Sequence, residues 1–173
     1  MAILSVRLYG DPVLRRRAEP VGAVTPEIQQ LLDDMVETMY DQAGIGLAAP
    51  QVGIGLRLLA LEEGSGVARA YLNPAIVDQG GQVTEEEGCL SLPGIFADVT
   101  RAEWVDVEAR DRSGEPIRRR ASGLLARVFQ HEIDHLDGVL FIDRLDKVSR
   151  DRIKRQIKRE GFPEDVAAGA LAL

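Results

Sequence analysis

His131-Glu132-Ile133-Asp134-His135 contains the only two histidines of the 173-residue chain, spaced four positions apart. In an α-helix, positions i and i+4 lie on one face, so both imidazoles can reach a single point. This HExxH pattern is typical of a divalent-metal site in which the glutamate handles protons on a bound water. Because so short a pattern also arises by chance in helices, a metal site needs support from other parts of the chain.

The segments on both sides of this stretch predict an α+β fold. An N-terminal helix begins after Thr25, a good N-cap, with Pro26 in its first turn, and is expected to stop at Gly44. The HExxH helix is predicted over about 122–136, and Ser149 is expected to cap a C-terminal helix that runs to about Arg159.

Short strands are predicted between these helices, at 56–61, 68–73, 82–86 and 103–109, with a return strand through Ile117 after a turn at 111–114. Pro74 and the glycine pair at 80–81 are expected to separate them. Because strands and helices do not alternate, antiparallel strands packed around the central HExxH-bearing helix are favoured over a doubly wound parallel sheet.

Length and composition predict a single domain over residues 1–173, with 45% hydrophobic and 28% charged residues. No membrane span or secretory signal is recognisable, so we expect a cytoplasmic protein. Cys89 is the only cysteine, so no internal disulfide is possible, and a reducing compartment would keep its thiol free. The net charge of −7 argues against broad nucleic-acid binding.

The positive charge is concentrated near the C-terminus. Residues 147–160 contain seven Lys or Arg and two acidic residues, and 15–17 and 118–120 are shorter arginine runs. The basic C-terminal helix and its tail therefore form a distinct part of the predicted domain, at 147–173. A solvated helix face is the ordinary interpretation of such a run.

Cys89 is the natural candidate for a third metal ligand. It lies in Glu87-Gly88-Cys89-Leu90-Ser91, where we expect a turn just after a strand. A thiolate and two imidazoles leave one coordination position for water, which is the mark of a catalytic rather than a structural metal site. Taken alone, a small buried residue is the commoner role of a free cysteine.

A glycine-rich segment at 44–51, Gly-Ile-Gly-Leu-Ala-Ala-Pro-Gln, offers a low-profile backbone and the amide of Gln51. It lacks the lysine of a phosphate-binding loop and the G-x-G-x-x-G pattern of a dinucleotide site. A plain connection between helix and strand would also explain its composition.

Together, the segments at 44–51, 87–91 and 131–135 resemble the three signature motifs of the peptide deformylases, in the order and at the spacing usual for that family. The resemblance covers residues 5 to about 145. It implies that Cys89, His131 and His135 bind the metal and that Glu132 is the general acid–base. It further implies that the side chain of Gln51 and the backbone N–H of Leu90 stabilise the oxyanion.

The resemblance also implies a substrate, the N-formyl-methionyl end of a new polypeptide, and formate as a product. Gly46 and Gly88 lie in segments that could pair with a peptide backbone. The methionine pocket is expected to form from four residues, and the aliphatic stem of Arg127 would line its wall while the guanidinium reaches its rim. These four residues are Ile45, Leu124, Arg127 and Val128.

The family metal is typically Fe²⁺ in the cell, with Zn²⁺, Ni²⁺ or Co²⁺ possible in preparations, although the ligand types alone suggest zinc. Glu87 is expected to anchor the Cys89 turn through Arg101, with Asp134 in the same network. The basic C-terminal helix could dock on ribosomal RNA near the exit of new chains.

Two alternatives are left open by the residues. A zinc peptidase of the ordinary HExxH kind would take a downstream glutamate, such as Glu160, as its third ligand, and Cys89 would then be incidental. A binding module that keeps the fold without activity is the other alternative, although all the residues expected for catalysis are present.

Overall fold

The computed structural model describes residues 2–64, 66–163 and 173. The described helices are α1 (Pro26–Asp41), α2 (Gly123–Leu136) and α3 (Lys147–Glu160). The described strands are β1 (Gly46–Ala48), β2 (Leu58–Glu62), β3 (Ala68–Gly80), β4 (Val83–Cys89), β5 (Leu92–Arg101), β6 (Trp104–Arg110) and β7 (Pro116–Ser122).

Five strands form one antiparallel sheet in the order β1-β2-β3-β6-β7, and β4 pairs with β5 as a separate antiparallel hairpin. Helix α2 packs on the sheet, where Phe129 meets Tyr71 of β3 edge-on with ring centroids 4.9 Å apart. Such burial of apolar and aromatic surface is the main force that holds helix and sheet together. The predicted α+β fold around a central helix is thereby confirmed.

Helix α1 begins as predicted. The hydroxyl of Thr25 accepts a hydrogen bond from the backbone N–H of Ile28, which satisfies one of the free donors of the first turn. The predicted stop at Gly44 is wrong by a few residues, because the helix ends at Asp41 and Ala43 takes the left-handed conformation with φ 55°. Ala43 therefore occupies a conformation that usually favours glycine.

The strand predictions were incomplete. Strand β3 continues through Pro74 to Gly80, with register shifts that let the sheet accommodate a residue without an N–H donor. Strands β1 and β5 were not predicted at all. Cys89 is the last residue of β4 rather than part of the turn that follows it.

Helix α3 begins three residues earlier than predicted. Asp146 is its N-cap, and its carboxylate accepts hydrogen bonds from the backbone N–H and the hydroxyl of Ser149. The predicted cap at Ser149 is therefore wrong, because the longer-reaching carboxylate satisfies the helix end first. Of the predicted C-terminal tail, residues 164–172 lie outside the described part of the chain.

Candidate metal centre

Helix α2 places both histidines and Glu132 in the interior. His131 and His135 are each about 1% exposed and Glu132 is fully buried, and the two imidazole rings have centroids 5.0 Å apart. The i, i+4 spacing puts the rings on one face of the helix, as predicted. Three ionisable side chains on one buried helical turn are costly unless they are paired or bind an ion.

Cys89 meets this helix from the end of β4. Its Sγ lies 3.3 Å from Nε2 of His135, and one ligand atom from each of Cys89, His131 and His135 falls within 4.8 Å of the others. For a tetrahedral ion with metal–sulfur and metal–nitrogen distances of about 2.3 and 2.0 Å, the sulfur and nitrogen would be about 3.5 Å apart. The three residues therefore fit a divalent transition metal.

One buried atom supports this assignment independently. Nε2 of His131 has no hydrogen-bond partner among the described residues, although the ring is almost fully buried. Buried polar atoms nearly always have a hydrogen-bond partner. An unpaired nitrogen near a thiol and a second imidazole is therefore the arrangement expected of a metal ligand. With three protein ligands, one position stays open for water.

Glu87 fixes the orientation of His131. Its Oε1 lies 2.8 Å from Nδ1 of His131, an arrangement that leaves Nε2 directed toward the cysteine. Burial raises the pKa of Glu87, but the hydrogen bonds from His131 and Arg101 outweigh it and bring the pKa to about 2. Glu87 is therefore a carboxylate at neutral pH, and it favours a proton on Nδ1 of His131.

The arginine network around Glu87 confirms the sequence hypothesis. Arg101 donates to both oxygens of Glu87 at 2.6 and 3.0 Å and to Asp134 at 3.0 Å. All of these groups are buried, so the pairing keeps two interior carboxylates neutralised. The network joins β4, β5 and α2, the three elements that surround the candidate site.

Arg127 differs from its predicted placement. Its guanidinium turns inward rather than to a pocket rim and is 3% exposed. It donates to Glu87 at 2.6 Å and to the backbone carbonyls of Val99 and Val83 at 2.9 and 2.8 Å. The reason is electrostatic, because the carboxylate of Glu87 and two strand carbonyls offer a buried guanidinium the acceptors that it needs. No local sequence pattern indicates these acceptors.

Glu132 lies beside the cluster with its carboxylate free. Its Oε1 is 4.0 Å from Nε2 of His131, and neither oxygen has a hydrogen-bond partner among the described residues. Burial is the main reason that the pKa of Glu132 rises to about 7. A carboxylate with a pKa near neutral can both accept and return a proton at physiological pH.

Gln51 lies beside Cys89. Its Oε1 accepts a hydrogen bond from the N–H of Ala48 at 2.9 Å, which leaves the amide nitrogen facing the site, 3.2 Å from Oγ of Ser91 and 3.6 Å from Sγ of Cys89. Leu90 lies in the turn that follows Cys89. Both predicted oxyanion donors thus adjoin the thiol, and Ser91 is a neighbour that sequence reasoning did not single out.

The remaining predicted residues differ in burial. Val128 is buried, with Ile45 packed against its core cluster, whereas Leu124 is 48% exposed. A side chain at Gly46 would meet Oε1 of Glu132 at 2.8 Å, so this backbone lies directly against the side chain of Glu132. Strand β1 is an edge strand of the sheet, which leaves one side open for an added peptide strand.

The alternative third ligand lies elsewhere. Glu160 is exposed at the C-terminal end of α3. Among the described residues, the group with metal-binding spacing contains Cys89 with the two histidines. The geometry thus favours the thiolate ligand over the peptidase-like alternative.

A buried HExxH helix, a cysteine from a neighbouring hairpin and a buried carboxyl group with a pKa near neutral define the class of the metal-dependent hydrolases. The comparisons with known proteins specify the family within this class. The family described as Polypeptide deformylase matches residues 3–151. The chain belongs to the peptide deformylase family.

Relatives and solved structures agree with this assignment. The peptide deformylase of Alkalilimnicola ehrlichii is 49% identical over 162 residues, 92% of this chain and 91% of the relative. That of Halothermothrix orenii is 48% identical over 88% of this chain and all of the relative. The crystal structure of the Thermus thermophilus enzyme has a TM-score of 0.86 at 46% identity, covering 90% of this chain and 93% of that one.

A structure with a bound ligand is also similar. The peptide deformylase of Ehrlichia chaffeensis in complex with actinonin has a TM-score of 0.85 at 40% identity, over 92% of this chain and 99% of that one. Among the described residues, none of the helices is long and apolar enough to cross a membrane.

Proposed function

We propose that this protein hydrolyses the formyl amide at the N-formyl-methionyl end of new polypeptides and releases formate and a free α-amine. The observation that carries the proposal is the convergence of Cys89, His131 and His135 within 4.8 Å beside the unpaired carboxylate of Glu132. Family membership supports the substrate, and the open edge of β1 supports a peptide as its carrier.

Each residue has a distinct part in this reaction. Cys89, His131 and His135 would hold a divalent metal, which when bound acidifies a water and polarises the formyl carbonyl. Glu132 accepts the proton as the water oxygen attacks the formyl carbon, and returns it to the amide nitrogen as the carbon–nitrogen bond breaks. The amide of Gln51 and the N–H of Leu90 donate hydrogen bonds to the carbonyl oxygen as it becomes an oxyanion.

Formate release from a formyl-Met tripeptide tests the proposal directly. The wild-type protein should release one formate per peptide, while an acetyl-Met peptide of the same sequence should stay intact. E132Q should lose at least about 10²-fold in kcat, because a positioned acid–base contributes about 10²–10⁴-fold. E132Q should also retain its metal. Equal turnover by E132Q and wild type would contradict the role of Glu132.

Replacing the thiol separates this proposal from the peptidase-like alternative. C89A should lose the metal, because two imidazoles alone remain, whereas an enzyme that used Glu160 would keep it. E160Q is the matched control and should retain both metal and activity. Metal content after gel filtration measures both outcomes.

We infer that Fe²⁺ occupies the site in the cell and that Zn²⁺, Ni²⁺ or Co²⁺ can replace it in preparations. A thiolate with two imidazoles suits all of these ions, so the proposal rests on the family rather than on the ligand types. Metal analysis of protein purified without oxygen, paired with turnover per metal, tests it. Iron content that did not correlate with activity would contradict it.

We further propose a cytoplasmic location and a contact with the ribosome through α3. The free, buried Cys89 is consistent with a reducing compartment. On α3, five cations are exposed while Ile153 faces the core, so the positive charge is directed outward. The exposed cations are Lys147, Arg152, Arg155, Lys158 and Arg159.

Co-sedimentation with ribosomes at two salt concentrations tests the contact. R152E/R155E should bind more weakly and with a smaller salt dependence than wild type, since each lost phosphate contact reduces the salt slope by about one. The matched control R16E/R17E reverses two other exposed arginines and should bind like wild type. Activity on a short peptide should be the same in all three proteins. Unchanged binding by the α3 variant would end the proposal.

A further inference from the structure

A cavity of about 570 Å³ opens beside the first residues of β3, and none of the described residues that line it belongs to the candidate metal centre. Four arginines line it, which are Arg69, Arg112, Arg118 and Arg119. One carboxylate also lines it, that of Asp111, but its Oδ1 accepts hydrogen bonds from two backbone N–H groups of its own turn. Ligand sites commonly have this size, and the guanidinium groups indicate an acidic ligand.

The cavity faces the edge of β3 rather than one of its two faces. Successive strand residues point to opposite faces of a sheet, yet the four successive residues at 68–71 all line the cavity. These residues pair with β2 on one side, and pairing with β6 begins only at Leu72, opposite Arg110. In the described part of the chain, no strand pairs with the second edge of 68–71. Its outward N–H and C=O groups can therefore accept an added strand.

The cavity is one end of a longer groove. A second cavity of about 590 Å³ continues from it, because Ile117 and Arg118 line both. Together the two cavities follow β3 from Ala68 to Ala75. At about 3.3 Å per strand residue, this length is roughly 23 Å. A groove of this shape suits an extended chain segment better than a compact small molecule.

Two of the arginines are placed to bind a ligand. The side chains of Arg69 and Arg118 are 60% and 61% exposed. Arg69 contacts Glu63 through Nε at 3.2 Å, whereas Arg118 lies 3.4 Å from Asp106 and 3.7 Å from Glu108, longer than an ordinary hydrogen bond. A guanidinium has five N–H donors, so each of these two can still bind a carboxylate in the bidentate manner.

The other two arginines fix the walls of the groove. Arg112 pairs with Asp33 of α1. Arg119 donates to Glu63 at 2.6 Å and to the hydroxyl of Tyr71 at 3.2 Å, and that hydroxyl in turn bonds to Glu63. The carboxylate of Glu63 is 5% exposed, so this network ties β7 to the start of β3 from the inside. The groove is thus formed before any ligand arrives, which lowers the entropic cost of binding.

We propose that this groove binds an extended acidic peptide segment of a partner protein. The segment adds as a strand to the free edge at 68–71 and places its carboxylates on Arg69 and Arg118. A peptide suits the groove better than a nucleic acid, because a phosphodiester backbone has no N–H groups to donate to the C=O groups of the strand edge. The net charge of −7 also repels a long polyanion, whereas a short acidic segment meets mainly the local arginines.

Fluorescence anisotropy with a labelled peptide of sequence Glu-Val-Glu-Val-Glu-Val-Glu tests the proposal. The wild-type protein should bind this probe, and R69Q/R118Q should raise the Kd about tenfold, since two exposed ion pairs together contribute about that factor. R16Q/R17Q is the matched control, because it removes two other exposed arginines, and it should keep the wild-type Kd. Equal Kd values for R69Q/R118Q and wild type would overturn the proposal.

Two further probes separate strand addition from simple charge attraction. The same peptide with N-methylated valines keeps its carboxylates but lacks the N–H donors of a strand, so it should bind at least several-fold more weakly. Hydrogen exchange should slow at residues 68–71 when the unmodified peptide is bound. Equal binding of the methylated peptide would contradict the added strand. Tighter binding of single-stranded oligouridylate than of the peptide would overturn the proposal in favour of a nucleic-acid ligand.

Discussion

Among single residues, Arg127 connects three separate partners through one guanidinium. Its guanidinium joins α2 to Val83 of β4 and Val99 of β5, and it also pairs with Glu87. It therefore holds the histidine helix against the hairpin that contains Cys89. R127M should lower the free energy of unfolding by about 3 kcal/mol, the lower end of the cost of breaking a buried ion pair, because Arg101 still pairs with Glu87. Urea unfolding measures this loss.

The variants R127K and R120M provide the comparisons for that measurement. R127K should be intermediate, since an ammonium keeps the charge but cannot reach three acceptors in a fork. R120M removes an arginine whose side chain is 63% exposed and should cost much less. Equal losses for R127M and R120M would show that the inward guanidinium does not join the hairpin to the helix.

Gly46 is the other residue with a sharp prediction. A methyl group there would meet Oε1 of Glu132 at 2.8 Å and Cγ1 of Val128 at 2.9 Å, so G46A should displace the carboxylate. A displacement of about 1 Å can cost on the order of 10²-fold in rate, and we expect kcat to fall by about that factor while the protein stays folded. G55A is the matched control, because a side chain there meets nothing within 4 Å. Steady-state kinetics and circular dichroism of both variants check the prediction, and a wild-type kcat in G46A would contradict it.

At the scale of elements, we expect the ion pairs between β6 and β7 to weaken in acid. The hydrogen bond from Arg120 is the main reason that the pKa of Asp106 falls to about 2, below the value of about 3.9 in an unfolded chain. A lowered carboxyl pKa stabilises the fold above the unfolded value, and that contribution is lost as the pH falls toward 2.

The variant D106N isolates this contribution. The difference in unfolding free energy between wild type and D106N should be present at pH 6 and smaller at pH 3, as measured by urea unfolding at each pH. The control D98N, at an exposed position of β5, should show no such difference at either pH. A difference that grew on acidification would contradict the role of the carboxylate.

Elements with strong local signals could be predicted from the sequence, and the others could not. Thr25 and Pro26 mark the start of α1, and the HExxH spacing identifies α2. Strand β1 contains only glycine, leucine and alanine, and the first residues of β5 are Leu-Pro-Gly, so neither strand starts with a typical strand composition. Strand β1 is held by pairing with β2 and strand β5 by pairing with β4, and the pattern of a single segment does not contain such pairing.

The same distinction between local and assembled features applies to the candidate site. The ligands and the acid–base follow from rare residue types in recognisable motifs, and the structure brings them together. The inward turn of Arg127 depends on carbonyls of β4 and β5. Interactions of this kind become visible only when the elements are assembled.

At the scale of the whole molecule, a bound metal should link two clusters of the hydrophobic core. Cys89 belongs to the core cluster built around β5 and the segment after α2, while the histidine helix belongs mainly to the cluster built on the sheet. A ligand that binds only the folded state stabilises it by about 2.7 kcal/mol at 100 times its Kd. Chelation should therefore lower the Tm of wild type and leave that of C89A unchanged.

Scanning calorimetry with and without chelator measures this effect. E132Q is the control that should still respond to the chelator, because its three ligands are intact. A response of C89A equal to that of wild type would show that the thiol does not hold the ion.

The separation in sequence between Cys89 and His135 also sets the order in which these two residues leave the ribosome. Cys89 and His135 are 46 positions apart, so at about 5–20 residues per second the thiol leaves the ribosome roughly 2–9 seconds before its partner. During that interval the nascent hairpin displays an unprotected sulfur that oxidants can modify. Oxidation of Cys89 in that interval would remove one of the three candidate ligands before the other two had been made.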